Sequence, residues 1–244
     1  MEYCGITDRG KVRGQNQDVF KTLYNEERGL LILLVCDGMG GAKAGNIASE
    51  SAAEVFVDFM WDHISPETGS PDIKSAMSDA VHAANSAVYE QSLRDPACTG
   101  MGTTLVAAAS GPDGEVVVNI GDSRAYHIAN GKIGQVTKDH SVVEDMIDRG
   151  DITRGAAKNH PNKNLITKAL GTPRDEAPDV FGLKLSPGEF LLLCSDGLSN
   201  IVADEEILEE VIYGSTVEES CERLMSLALL RGAPDNVTIV LFKK

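Results

Sequence analysis

Three aspartates stand at the ends of apolar runs, in positions where carboxylates could bind a metal ion. Asp37 and Asp196 each follow a run of apolar residues and precede a glycine, whereas Asp235 lies just before the apolar run 237–242. Apolar runs of this length are typical of buried strands, so each acid is expected at an edge of the core. If the three edges meet, the like charges need a cation between them. Carboxylate and carbonyl oxygens suit Mg²⁺ or Mn²⁺.

A turn is the alternative explanation for each Asp-Gly pair. Aspartate followed by glycine is a common turn sequence, and turn chemistry alone accounts for Asp37-Gly38 or for Asp196-Gly197 without any ligand. The metal hypothesis therefore depends on the other motifs in the chain.

The composition is that of an ordinary globular chain with a large core. The chain has 244 residues, of which 42% are hydrophobic and 24% charged. This size favours one domain over residues 1–244. No apolar stretch is long enough for a membrane span. The first residues lack the basic start and apolar segment of a signal peptide, so we do not expect export.

Charge and cysteine content narrow the choice of partner and compartment. A formal net charge of −15 argues against a nucleic acid or an anionic membrane as partner, since both attract basic surfaces. The five cysteines are odd in number and include no Cys-x-x-Cys pair, so they do not form a disulfide framework. We expect reduced thiols and a cytoplasmic location.

Strand-like and helical patterns follow one another in blocks along the chain. Two helices with apolar stripes are predicted within 47–60 and 73–88, and two more at 204–212 and 217–230, with strands before, between and after them. Strands joined by hairpins, as at Asn130-Gly131, indicate an antiparallel α+β layout. The two helical pairs could cover the outer faces of a pair of sheets. The segment 142–172 is polar and contains only short helical pieces.

Further motifs accompany the three acids, and their order is more specific than any one of them. Taken together they resemble the metal-dependent serine/threonine protein phosphatases of the 2C type (the PPM family), in their compact bacterial form. The resemblance covers essentially the whole chain. Its motifs are Arg13-Gly14-Gln15-Asn16-Gln17-Asp18, Asp37-Gly38-Met39-Gly40-Gly41, Met101-Gly102-Thr103-Thr104, Gly121-Asp122-Ser123-Arg124, Asp139-His140-Ser141, Ser195-Asp196-Gly197-Leu198 and Asp235-Asn236-Val237-Thr238.

The resemblance implies a fold and a reaction. The fold would be an α-β-β-α arrangement, a central sandwich of two antiparallel sheets flanked by pairs of helices on both faces. The reaction would be hydrolysis of phosphoserine and phosphothreonine in proteins, by attack of a metal-bridging water or hydroxide on phosphorus without a covalent intermediate. The segment 142–172 would be the family's variable flap beside the active site, where it would tune substrate choice; the alternative is a passive surface loop.

The resemblance also implies roles for particular residues. Two ions of Mn²⁺ or Mg²⁺ would be bound, with a third weaker ion at Asp122. Arg13 would hold the substrate phosphate, and Asp37 would bridge the two ions at the catalytic centre. Asn236 would orient its neighbours from behind the ligands. The implied metal ligands are Asp18, Asp37, Gly38 through its carbonyl, Asp122, Asp196 and Asp235.

Several of these residues have an ordinary structural alternative. Arg13 could be a solvated loop residue, and Arg9 is close enough to compete for its role. Asp122 could cap its turn without binding an ion. His140 and His160 are left out of the catalytic set, because a lone histidine is more often a hydrogen-bonded structural residue.

One position departs from the pattern of many eukaryotic relatives. They carry a histidine after the first Asp-Gly pair as the general acid, whereas this chain has Met39, which cannot donate a proton. Bacterial members often share this methionine. Our hypothesis is that metal-bound water protonates the leaving group instead.

Two other functions compete with protein dephosphorylation. A small-molecule phosphohydrolase would use the same binuclear centre, and a non-catalytic phosphoprotein-binding module would keep the fold without turnover. The intact set of acids argues against the second. The expected partners are phosphorylated proteins and a cognate serine/threonine kinase, and the chain is expected to be a monomer.

Overall fold

The computed structural model describes residues 1–64, 70–111, 114–172 and 177–244, and its strands form two antiparallel sheets. The first sheet has the strand order β1-β11-β10-β7-β8. Its strands join the beginning and the end of the sequence, because Glu2 pairs with Lys243 in register. The bounds are β1 Glu2–Asp8, β7 Arg124–Ala129, β8 Lys132–Gln135, β10 Phe190–Cys194 and β11 Val237–Lys243.

The second sheet has the order β2-β3-β5-β6-β9, with the short strand β4 paired to the end of β3. All of its pairs are antiparallel. The bounds are β2 Asp18–Asn25, β3 Leu30–Met39, β4 Gly102–Thr103, β5 Leu105–Gly111, β6 Gly114–Ile120 and β9 Asp179–Leu183.

Helices cover the outer face of each sheet. On the second sheet lie α1 Gly41–His63 and α2 Ser70–Arg94, and on the first lie α6 Asp204–Tyr213 and α7 Val217–Leu230. The α-β-β-α sandwich that the family resemblance implies is therefore confirmed. The remaining described helices are short: α3 Val142–Asp148, α4 Arg154–Ala157, α5 Asp196–Ser199 and a 3-10 helix over Pro96–Cys98.

Strand β3 explains why its sequence is apolar without interruption. Its side chains alternate between two cores: Leu31, Leu33 and Val35 pack between the sheets, whereas Ile32 and Leu34 pack against the first helical pair. A strand buried on both faces needs apolar residues at every position. The same strand can therefore carry an acid to the core's edge only where the burial ends.

Local turn chemistry matches the sequence at the β7–β8 hairpin. Asn130 and Gly131 both adopt positive φ, 53° and 69°, as a two-residue turn of this type requires. The polar segment 142–172 contains only the short helices α3 and α4, as predicted. No helix within the described residues is long and apolar enough to cross a membrane.

The alternative that Asp37-Gly38 is only a turn is wrong. Strand β3 continues through both residues to Met39, where Asp37 pairs with Asp18 of β2 and Gly38 with Thr103 of β4. The second pair behaves differently, because Asp196 begins helix α5 directly after β10.

Candidate metal and phosphate site

A pocket of about 740 Å³ opens where the ends of both sheets meet. Most of the acids predicted from the sequence line it, together with backbone of the glycine-rich stretch after Asp37. The lining residues are Arg13, Gly14, Gln15, Gln17, Asp37, Gly38, Met39, Gly40, Thr104, Asp122, Asn164, Ile166, Asp196, Asp235 and Asn236.

Hydroxyl groups of the central motifs hold the backbone of Asp37. Its N–H donates to Thr104 Oγ1 at 3.0 Å, and its carbonyl oxygen accepts from Thr103 Oγ1 at 2.9 Å. Thr104 Oγ1 also lies 2.7 Å from Ser123 Oγ. The motifs that contain Thr103 and Ser123 therefore hold the backbone of Asp37 in place, and Ser123 acts through Thr104. This explains why these positions carry hydroxyl side chains.

Both Asp-Gly pairs need glycine for close approach of backbone rather than for a turn. A Cβ on Gly38 would collide with the carbonyl oxygen of Gly45, and one on Gly197 with the carbonyl oxygen of Asn236. Neither glycine has a positive φ. The glycines thus let neighbouring chain segments pack against the acids, and the turn interpretation of the two pairs is not needed.

Asp196 and Asp235 reach the pocket from different parts of the chain. The Asp196 carboxyl lies within hydrogen-bonding reach of that of Asp37, and its Oδ2 accepts from Asn200 Nδ2 at 2.9 Å. Asp235 accepts from its neighbour's backbone, Asn236 N, at 2.9 Å and receives the guanidinium of Arg13 at 2.6 Å.

Asp18 lies behind the pocket wall and is not one of its lining residues. Its side chain is buried, and Oδ2 accepts from Ser195 Oγ at 2.8 Å and Thr238 Oγ1 at 2.7 Å. Its Oδ1 is buried without a hydrogen-bond partner among the described residues. An orphaned carboxylate oxygen in a core is costly, so this atom points to a missing partner such as a cation or water.

Asp122 lies in the turn between β6 and β7 and lines the pocket. The next arginine, Arg124, does not neutralise it directly, because Arg124 forms a bidentate pair with Asp139 at 2.6–3.1 Å. Asp122 therefore adds its charge to that of Asp196.

Asn236 joins the first loop to the last strand. Its Nδ2 donates to the carbonyl oxygens of Arg9 at 2.8 Å and Gln15 at 2.9 Å, and its Oδ1 accepts from Gln17 N at 2.9 Å. This side chain fixes the loop that carries Arg13 beside the pair Asp235-Asn236. The supporting role implied by the resemblance agrees with these contacts.

Arg13 lines the pocket, whereas Arg9 does not. The side chain of Arg13 is 56% exposed and uses one terminal nitrogen to bind Asp235. The bond to Asp235 raises the pKa of the guanidinium, so it stays charged. The remaining N–H groups of its planar fork are available to a ligand.

Burial, together with the charge of neighbouring carboxylates, raises the pKa values of the acids around the pocket. Burial, opposed in part by the two hydroxyl donors, raises the pKa of Asp18 from 3.8 to about 6. Burial and the charge of Asp196 raise the pKa of Asp122 to about 7. The pKa of Asp37 is raised by burial and by Asp18. Burial and the charge of Asp235 raise the pKa of Asp196. The pocket therefore holds more negative charge than its surroundings can balance.

The donor set fits a hard divalent cation, although the described residues contain no ready-made group of three close metal ligands. Carboxylates of like charge stay apart unless a cation or protons lie between them. Three observations nonetheless favour a cation: the donors are all oxygens, Asp18 has an orphaned oxygen, and four carboxyl pKa values are raised. Mg²⁺ and Mn²⁺ prefer such ligands.

Sequence reasoning missed the hydroxyl groups that support the acids. Ser195 and Thr238 hold Asp18, and Thr103 and Thr104 hold Asp37. All four lie within motifs that the sequence singled out, but their partners are distant in the chain, so no local pattern shows them.

The two histidines left out of the catalytic set do not line the pocket. His140 Nδ1 accepts from Gly121 N at 3.0 Å, and its backbone N–H donates back to the Gly121 carbonyl oxygen at 2.9 Å. His160 Nδ1 accepts from Asn162 N at 3.2 Å within the flap. Both contacts are structural.

Comparison with known proteins gives this arrangement a family. The family model described as "Protein phosphatase 2C" matches residues 10–229. The chain is 35% identical over 241 residues to the serine/threonine phosphatase stp of Listeria monocytogenes serotype 4b, covering 98% of this chain and 94% of the relative.

Solved structures agree over nearly the full length. The crystal structure of the Mycobacterium tuberculosis serine/threonine phosphatase PstP/Ppp has a TM-score of 0.88 at 39% identity, covering 98% of this chain and 97% of the other. The catalytic domain of PstP in complex with two manganese ions has a TM-score of 0.85 at 38% identity, covering 98% and 96%. The chain belongs to the protein phosphatase 2C family.

Proposed function

We propose that this protein hydrolyses phosphoserine and phosphothreonine in proteins, with two Mn²⁺ or Mg²⁺ ions bound in the acidic pocket and room for a third at Asp122. The Gly38 carbonyl and the carboxylates around it would hold the ions. The proposed ligands are Asp18, Asp37, Gly38, Asp122, Asp196 and Asp235.

One observation carries this proposal: acids from four distant parts of the chain converge on a single pocket together with one arginine. Bound divalent cations would supply a hydroxide nucleophile near neutral pH and neutralise charge on the phosphoryl oxygens. The relatives named as serine/threonine phosphatases, and the manganese in the PstP catalytic domain, support the same chemistry.

Arg13 has the geometry to orient the phosphate. It lines the pocket and spends only one nitrogen on Asp235, so the rest of its fork can bind two phosphoryl oxygens and fix phosphorus for attack. Asp235 and Asn236 keep that loop in place through the contacts described above.

The residue after the first Asp-Gly pair does not take the role of proton donor. Met39 lines the pocket and has no acidic proton, so the leaving alkoxide would take its proton from water. Asp37, whose backbone is fixed from both sides, would orient the centre without a covalent step.

The wider biological role follows the same proposal. Residues 1–244 would act as one catalytic domain, with 142–172 as a flap that tunes substrate choice, since two of its residues line the pocket. The substrates would be targets of a cognate serine/threonine kinase. Five free cysteines support a reducing compartment, the cytoplasm. We propose a monomer.

Phosphate release from a phosphothreonine peptide tests the function. We expect release that requires Mn²⁺, stops with chelator, and falls by three orders of magnitude or more in Asp37→Ala, since this acid would bind both ions. Asp58→Ala, an exposed acid on α1, is the matched control and should keep full activity.

Two results would contradict the proposal. Turnover that persists in chelator would exclude a metal-dependent centre. Hydrolysis of small phosphate esters without any turnover of phosphopeptides or phosphoproteins would favour the small-molecule phosphohydrolase instead.

A further inference from the structure

Positive charge is concentrated in two short segments of this acidic chain. Residues 9–17 and 152–172 together contain seven of the 22 Lys and Arg residues and none of the 37 Asp and Glu residues. The chain as a whole has a net charge of −15. A solubility surface with interspersed charges would not produce two such segments.

Both basic segments contribute residues to the wall of the same pocket. Residues 9–17 contribute Arg13, Gly14, Gln15 and Gln17, and 152–172 contribute Asn164 and Ile166. The acidic pocket is therefore bordered by two basic segments, which we call the loop rim (9–17) and the flap rim (152–172).

Most of the basic side chains of the flap rim form no ion pair within the described residues. Two of the acids that precede it are already paired, since Glu144 binds Arg154 at 2.8 Å and Asp148 binds Lys138. Lys158 and Lys163 are exposed and have no ion pair within the described residues. These two lysines are therefore available to a bound ligand.

The loop rim has the same property. Arg9 and Lys11 are exposed, and neither side chain forms an ion pair in the part of the chain that the structure describes. Their backbone is fixed, because the Arg9 carbonyl oxygen accepts from Asn236 and Lys11 N donates to the Ala233 carbonyl oxygen at 2.9 Å.

The flap rim is held at a fixed place beside the pocket. Thr167 N donates to the His140 carbonyl oxygen at 2.8 Å, Val142 N donates to that of Leu165 at 2.8 Å, and Ser141 pairs with Ile166. Within the flap rim these bonds involve residues 165–167, which directly follow Lys163 and Asn164 in the chain. The basic side chains thus extend from a backbone whose distance from the acids is set.

We propose that this phosphatase selects phosphorylated segments that carry further negative charge on both sides of the phosphorylated residue. The inference deepens the proposed function and rests on it. With the phosphate on the pocket floor, an extended chain advances about 3.3 Å per residue and crosses the rims within a few residues. The ligand chemistry is anionic: glutamate and aspartate side chains, or additional phosphate groups.

Screening by salt explains why the charges near the pocket, rather than the net charge of the chain, determine the attraction of a bound peptide. At physiological ionic strength the Debye length is about 8 Å, so acids on the far faces of the protein act weakly on a bound peptide. The rim lysines belong to the segments that line the pocket, so residues that flank a bound phosphate would pass close to them. An exposed ion pair of this kind changes affinity roughly 1.5- to 5-fold.

Three phosphothreonine peptides test the proposal with the full chain in saturating Mn²⁺. The first has neutral flanks, the second has glutamates on both sides, and the third has a non-hydrolysable phosphonate analogue of phosphoserine on each side. We expect kcat/KM to rise roughly 1.5- to 5-fold for each added anionic group, and the gain to shrink as salt is raised.

A charge-reversal variant with a matched control locates the effect. Lys163→Glu should remove or invert the preference for anionic flanks, as measured by the ratio of kcat/KM values. Lys132→Glu makes the same change on β8, beyond the far end of β7 from Asp122, and should leave the ratio unchanged. Lys11→Glu tests the loop rim in the same way.

Each outcome has a definite meaning. A gain with glutamate, with the phosphonate or with both supports the proposal and tells which anion the rims recognise. Equal kcat/KM values for all three peptides, or a ratio that Lys132→Glu alters as much as Lys163→Glu, overturn it. Hydrolysis of p-nitrophenyl phosphate without turnover of any peptide would instead overturn the proposed function.

Discussion

The two Asp-Gly corners share a dipeptide but not a local structure. Asp37-Gly38 lies within strand β3, with neighbours on both sides, whereas Asp196-Gly197 begins the short helix α5 after β10. In both corners the glycine admits a carbonyl oxygen from another segment. The two sites therefore have the same dipeptide because both pack closely against another segment, and not because they share a turn.

The support of the two acids also differs. The backbone of Asp37 is bound by Thr103 and Thr104, from one adjacent motif. The side chain of Asp196 accepts from that of Asn200, four residues along. We therefore expect the first corner to be the more sensitive to changes in its surroundings, and the following experiments test this.

The largest effect is expected from adding a Cβ atom to either glycine, where a backbone carbonyl oxygen of another segment approaches closely. Gly197→Ala and Gly38→Ala should each lower the free energy of unfolding by about 3 kcal/mol, since overpacking against backbone forces the chain to move. Denaturant unfolding measures this loss. Gly134→Ala is the control, because that glycine has open space and no positive φ. Equal stability of all three variants would show that packing does not select the dipeptide.

The pH dependence of stability is expected to differ between the metal-free and the metal-bound protein. The pKa of Asp18 is about 6 in the fold and near 3.8 in an ordinary setting, so between these values the folded chain holds more protons than the unfolded one. Stability in chelator should therefore fall as pH rises from about 4 to about 7, by about 2–3 kcal/mol from this group.

Thermal unfolding across that pH range, with and without Mn²⁺, measures the decline. Asp18→Asn should flatten it and Asp58→Asn should not. Stabilisation by Mn²⁺ should grow with pH over the same interval, because the ion displaces protons. A flat profile for the metal-free wild type would contradict the crowding of charge described here.

A smaller effect is expected at the hydroxyl that holds Asp37. Thr104→Val keeps the shape of the side chain but removes the acceptor of the Asp37 N–H, and should weaken Mn²⁺ binding about 10–100-fold. Asn200→Ala, the corresponding change at the other corner, should weaken it less. Titration calorimetry compares the two, and a larger loss in Asn200→Ala would reverse the proposed order of sensitivity.

The smallest effect is expected at the residue after each glycine. Met39 lines the pocket, whereas Leu198 in the equivalent place is buried. Met39→His should change the acidic limb of the pH dependence of kcat without changing the requirement for Mn²⁺, because it adds a group that can donate a proton. An unchanged profile would count against protonation of the leaving group by water in the native protein.

The sequence was sufficient for the fold class and for four acids that line the pocket, since motif order survives as a linear pattern. These acids are Asp37, Asp122, Asp196 and Asp235. The sequence was insufficient for the end of β3, where the apolar pattern stops at Cys36 but pairing with β2 and β4 continues. Pairing of that kind depends on partners elsewhere in the chain. The same reason hid the hydroxyls around Asp18, whose partners are 177 and 220 residues away.

The contacts of Asn236 with Arg9, Gln15 and Gln17 have a consequence during synthesis. The loop that presents Arg13 is synthesised 219 to 227 residues before this anchor. A nascent chain therefore cannot hold that loop in its final place until Asn236 has emerged and packed against it. Order around the proposed phosphate-binding arginine thus depends on the completed fold rather than on the local sequence.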